Sequence, residues 1–135
     1  MSSRSKLFFL LLVIAQAAHS VEEYVTRLFE VFAPARFVSG LVSEDPALGF
    51  AVVNAAFVAI AVWCYVGPVR AGGVAGRIAA VVWVVIELSN GLGHVAIAAA
   101  SGRYFSGSLT GGVLALVAAC LAFSLLGDRR RAAGS

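Results

Sequence analysis

The sequence predicts an all-α protein, a four-helix transmembrane bundle with an amphipathic interfacial segment between helices one and two. Three observations predict it. The chain has 135 residues, 61% of them hydrophobic, and its mean hydropathy is +0.95. Only 13% of residues are charged, against about 25% in an average soluble domain. The charges gather at the ends of four apolar stretches, which is the pattern of membrane topology and not of phosphate binding. A soluble domain this small buries too little of its surface to hide so much apolar area. A soluble enzyme, a disordered chain and a nucleic-acid binder are excluded on these grounds. The length fits a single integral membrane domain over residues 1–135. Cys64 and Cys120 are too few for a disulfide scaffold and read as small apolar fillers.

A membrane-spanning helix needs about 20 mostly apolar residues. Helix one, about 7–25, opens with LFFLLLVIAQAAHSV. Its basic start, short apolar core and small residues Ala15, Ala17 and Ala18 also describe a secretory signal peptide. The segment from Tyr24 to Val42 is too polar to span. It mixes Leu28, Phe29, Phe32, Phe37 and Leu41 with Arg27, Glu30 and Arg36, as an amphipathic stretch at the interface does. Pro34 is expected to split it in two. Helix two, about 48–66, is followed by GPVRAGGVAGR, a composition that breaks helices. Helix three covers about 78–100, and SGRYFSG leads into helix four, about 108–126. Trp63, Tyr65 and Tyr104 fall at interface positions.

Basic residues orient the bundle. With four alternating spans, Arg4, Lys6, Arg70, Arg77, Arg129, Arg130 and Arg131 share one side, leaving Arg27, Arg36 and Arg103 for the other. The positive-inside rule then puts both termini in the cytoplasm, with the protein multi-pass in the inner (plasma) membrane. This asymmetry favours a retained first helix over a cleaved one.

Ionisable groups in lipid cost about 2.5–3.5 kcal/mol on insertion scales, so each asks for a reason. Two clusters stand out. His19, Glu22 and Glu23 are spaced i, i+3, i+4 at the outer end of helix one. Glu87, Asn90 and His94 are spaced i, i+3, i+7 in helix three. Either set shares one helical face. At about 1.5 Å per residue, His19 and Asn90 both lie ~18 Å along their outward-running helices. Asn54 of helix two and Thr110 of helix four reach the same depth. Helices one and three are therefore expected to be adjacent, with their polar faces neutralising each other.

Two imidazoles and three carboxylates form a metal-ligand inventory that suits iron or zinc. His19, Glu22, Glu23, Glu87, His94 and Asn90 are the candidate ligands, and Glu87, His94 and Glu22 the candidate catalytic groups. The Glu-x-x-His pairs of bundle-core di-iron sites are matched only in part, since helix one reads His-x-x-Glu. The same groups without metal suit acid/base isomerisation, because a carboxyl group in an apolar site works near neutral pH. A plainer reading pairs Glu23 with Arg27 at i+4 in the headgroup layer. On that reading the cluster only locks the packing of a binding or accessory protein. The first reading gives a divalent-metal-dependent enzyme acting on a lipid-like, lipid-soluble small molecule in the bilayer.

The motifs also carry a resemblance. His19-Ser20-Val21-Glu22-Glu23 reads H-x-x-E-E, and Glu87 to His94 reads E-x-x-N-x-x-x-H. Tyr104 to Thr110 matches Y-x-P-G-x-x-T, with Ser106 standing where the proline is expected. Together they resemble the HXXEE-motif family of small bacterial integral membrane proteins, over nearly the whole chain. The resemblance implies four spans and an uncleaved first helix. It supplies no reaction.

Overall fold

A computed structural model describes residues 1–133. It is helical throughout, with no strand among the described residues. The elements are α1 (Ser3–Val25), α2 (Leu28–Val31), α3 (Ala33–Gly40), α4 (Pro46–Cys64), α5 (Val74–Ser101) and α6 (Ser108–Ala133). Four helices are long and apolar enough to cross a membrane: α1, α4 with its continuation to Val69, α5 and α6. They are the four expected spans. The single turn α2 and the short α3 make up the amphipathic segment.

Two boundaries differ from expectation, for local reasons. Helix two does not stop at Gly67-Pro68. It runs on as a π-helical turn, Tyr65–Val69, which accommodates Pro68 inside the helix, and the break falls at Gly72–Gly73. Pro34 does not divide the interfacial segment either. It sits in the first turn of α3, where its missing N–H has no partner to lose, and the division falls at Phe32. Asp45 caps α4, its Oδ1 accepting from the Ala47 N–H at 2.9 Å.

The spans form a ring in the order α1, α6, α5, α4. The closest packing joins α5 to α6 and α1 to α6, whereas α4 and α5 barely approach. Helices one and three, α1 and α5, are thus diagonal and not adjacent as expected. Their long side chains meet across the interior instead. The reason lies in two glycines. A Cβ on Gly91 of α5 would stand 2.3 Å from the Gly111 carbonyl oxygen of α6. Small residues let these two backbones touch, as they do in lipid where dispersion, not water exclusion, holds helices together. That tight crossing makes α6, not α1, the neighbour of α5.

Each interior face changes character along its length. On α1 the buried stripe passes from Phe9, Leu12 and Val13 to Gln16, His19, Ser20 and Glu23. On α5 it passes from Ala80, Trp83 and Val84 to Glu87, Gly91 and His94. One half of the bundle is consequently apolar, completed by Leu114, Ala118 and Leu121 of α6. The other half, the site end, has a polar interior. At the opposite end, Lys6 Nζ donates to the Arg70 carbonyl at 2.7 Å, and the Ser2 N–H donates to Asp128 at 2.8 Å.

Above the polar interior, Leu28, Phe29 and Phe50 form a second apolar cluster with Phe32 and Phe105 packed against it. Arg27, in the left-handed region at φ 56°, turns the chain from α1 into α2 and brings this cluster over the site. Phe105 then lies against the His94 ring, 5.5 Å between centroids and tilted by 39°.

Candidate metal centre

His19, Glu23 and His94 converge at the site end. Their potential ligand atoms lie within 4.8 Å of one another, and all three residues are buried. Glu23 Oε1 stands 3.3 Å from His19 Nε2 and 3.1 Å from His94 Nε2. The two rings meet edge to face, 4.8 Å apart.

The far side of each ring is anchored. His94 Nδ1–H donates to the Ser106 carbonyl at 2.6 Å. A carbonyl only accepts, so Nδ1 carries a proton, and Nε2 carries a lone pair when the ring is neutral. His19 Nδ1 meets Thr110 Oγ1 at 2.9 Å. The single hydroxyl proton of Thr110 goes to Glu22 Oε2, so His19 Nδ1 donates there, and Nε2 is an acceptor when that ring is neutral. His19 Nε2 is fully buried and makes no hydrogen bond. Both Nε2 atoms therefore face the same Glu23 oxygen, and in the neutral form of the rings all three are acceptors.

Glu22 faces elsewhere. It accepts from the Tyr104 hydroxyl at 2.6 Å, the Thr110 N–H at 2.8 Å and the Leu109 N–H at 3.3 Å. It is the N-cap of α6, supplied from another helix because the residue before α6 is Gly107, which has no side chain to cap with. Partial burial and the bond to Glu22 hold the Tyr104 phenol above its usual value, so it stays a donor. Gly107 itself adopts φ +83°, and a Cβ there would lie 2.7 Å from His94 Nδ1 and 2.9 Å from His19 Cε1. Only glycine fits between the α6 cap and the two rings.

Ser106, at the place of the expected proline, is buried. Its hydroxyl bonds the Thr26 hydroxyl, which in turn donates to the Glu22 carbonyl at 2.6 Å. A side-chain tether to the end of α1 thus stands where ring rigidity was expected.

Of the six residues read as ligands, the structure brings together three. Glu22 caps α6. Glu87 is fully buried one to two turns deeper, with a terminal atom of the Gln16 amide 2.7 Å from its Oε2. The other end of that amide lies 3.0 Å from Ser20 Oγ, and Ser20 donates to Asn54 Oδ1 at 2.8 Å. Asn90 lies at the edge of the buried stripe, which runs through Glu87, Gly91 and His94. Its i+3 position turns it toward α4, where it lines a cavity with Glu23, His94 and Asn54. The Glu23–Arg27 pair does not form: Arg27 pairs with Glu30 at the exposed surface, and Glu23 turns inward to the histidines. Gln16, Gly107 and the Ser106 carbonyl were not foreseen. The buried stripe of α1 pointed to Gln16, but backbone groups leave no trace in residue type.

Searches of curated proteins and of solved structures found no match. The family model for proteins of unknown function with an HXXEE motif matches residues 10–122. The motif's histidine and second glutamate meet in the interior, its first glutamate caps α6, and the chain belongs to this HXXEE family.

Proposed function

We propose that His19 Nε2, Glu23 Oε1 and His94 Nε2 bind one divalent metal ion, zinc or iron, and that the protein is a metal-dependent membrane enzyme acting on a lipid-like substrate. One observation carries the reading: two buried imidazole Nε2 atoms, one of them without any hydrogen bond, face the same Glu23 oxygen, and with both rings neutral all three are acceptors that a shared cation would join. A His₂Glu set with a further position open is a catalytic ligand pattern for zinc and suits iron equally. The Nδ1–H bonds to Ser106 and Thr110 are the outer contacts that orient metal-binding imidazoles. A bound metal there supplies Lewis acidity and a water of lowered pKa. Glu87 is the remaining buried carboxyl group and the candidate acid/base. The charge asymmetry supports a site in the outer half of the inner membrane with both termini in the cytoplasm.

Glu23 Oε1 also lies within hydrogen-bond reach of both rings, which favours a second reading. A proton in place of the metal makes the same trio an acid/base group for isomerisation.

Elemental analysis of detergent-purified protein separates the two. The metal reading expects about one zinc or iron per chain, the stoichiometry of a single three-ligand site. His19→Ala, Glu23→Gln and His94→Ala should each abolish it. A protein free of bound metal that takes up none on titration with zinc or iron(II) overturns the metal reading.

A further inference from the structure

A cavity of about 400 Å³ opens beside the trio, within the size range of small-molecule sites. Its floor is polar: Glu23, His94, Asn90, Asn54 and Gln16 all border it. Its walls are Phe50, Val53 and Phe57 of α4 and Ile86 of α5. Phe32, Val38 and Ser39 roof it from the interfacial segment. The roof is pinned down, since a Cβ on Gly49 at the start of α4 would stand 2.2 Å from the Ser39 carbonyl oxygen. Phe57 against Trp83, 4.7 Å between ring centroids, closes the cavity from below. At the side α4 and α5 barely approach and Ile86 is 37% exposed, while Val38 of the roof is 41% exposed.

We infer that the gap between α4 and α5 is a lateral doorway from the apolar phase of the membrane. The cavity behind it takes a neutral long-chain amphiphile, hydroxyl or carbonyl head first. The inference rests on the membrane-embedded site of the proposed function and adds its ligand class and route, and binding does not require the metal. Two features set the class. The doorway is framed by hydrocarbon side chains at membrane depth, so whatever passes it is dissolved in lipid. No lysine or arginine lines the cavity, so a phosphate or carboxylate head finds no basic side chain, and Glu23 repels it in the metal-free protein. The amides of Asn54 and Asn90 offer donors and acceptors to a neutral head.

The test uses the full chain in phosphatidylcholine vesicles with a diazirine-bearing hexadecanol as probe, and cross-linked residues mapped by mass spectrometry. Labelling should fall on residues 50–57 and 86–94 and be competed by plain hexadecanol. Val53→Trp and Ile86→Trp, which fill the doorway from opposite sides, should each weaken it about tenfold, the factor worth 1.4 kcal/mol of affinity. Matched fatty-acid and alkyl-phosphate probes should label far less. Labelling that spreads over lipid-facing residues such as Leu116 and Phe123, or that ignores both tryptophans, overturns the inference. So does equal labelling by the phosphate probe. Metal content measured on the same preparations keeps the two ideas apart: labelling without metal removes the metal reading alone, and metal without saturable labelling removes this one.

Discussion

Glu22 and Glu23 are neighbours in sequence and serve different helices. Glu23 turns into the bundle, 3.1 Å from His94 of α5, while Glu22 accepts two backbone N–H groups at the start of α6. Successive residues on a helix point about 100° apart, so a doubled glutamate at the end of α1 reaches both partners at once. Thr110 links the two tasks, taking a proton from His19 and giving its own to Glu22.

That link predicts an indirect role for Glu22 and Thr110. Glu22→Gln and Thr110→Val remove no ligand from the trio but free the His19 ring to turn. Loss of such an outer contact typically costs 10–100-fold in metal affinity. Zinc titration of the two variants should show weakened binding, in contrast to its abolition in His94→Ala. Unchanged affinity in both would separate the α6 cap from the site.

Gly107→Ala should damage the site more than the fold. A Cβ there collides with His94 Nδ1 at 2.7 Å, and the left-handed backbone costs a further 1–2 kcal/mol or so for any other residue. Metal content should be lost while the circular dichroism of the helices persists, with a lower melting temperature in detergent. Full metal content in this variant would show that the rings have room to spare.

Gly91 and Gly93 should respond with opposite sign. Gly91→Ala drives a methyl group into the Gly111 backbone, and overpacking of this kind costs about 1–3 kcal/mol. Gly93 has nothing within 4 Å of the added Cβ, so Gly93→Ala should gain up to about 1 kcal/mol from helix propensity. Thermal melts of the two variants in one detergent check the pair, and equal destabilisation would refute the α5–α6 crossing described above.

Glu87→Gln should fold. The new amide still meets the Gln16 amide, and each carries both a donor and an acceptor. Hydrogen bonds between membrane helices average about 0.6 kcal/mol, so the melting temperature should move little. Activity or proton transfer, if Glu87 is the acid/base group, should fall steeply. A variant that fails to accumulate in the membrane would instead assign Glu87 to packing.

The four spans were legible because apolar length is a property of composition, and residues 7–25 and 108–126 needed no partner to be recognised. The polar residues of α1 and α5 were legible as anomalies. Their sorting was not. Helical spacing placed His19, Glu22 and Glu23 on one broad face, but which member turns inward depends on the α5–α6 crossing, and that depends on Gly91 and Gly111 touching. The same crossing made α1 and α5 diagonal. Gly91 lies in the buried stripe of α5 and Asn90 at its edge, a rotation of one residue that spacing alone does not resolve.

The diagonal arrangement has a consequence for how the chain is made. His19 and Thr110 are 91 positions apart, and His94 follows Glu23 by two further spans. When α1 and α4 have been inserted, Ser20 can already donate to Asn54, but the buried charge of α1 has no counterpart. Uncompensated, it costs a few kcal/mol in lipid. A chain halted before α5 thus leaves Glu23 without its His94 partner at membrane depth, and only synthesis carried through to His94 supplies it. The end of the first helix is in that sense a completion mark, satisfied only once the later spans are in place.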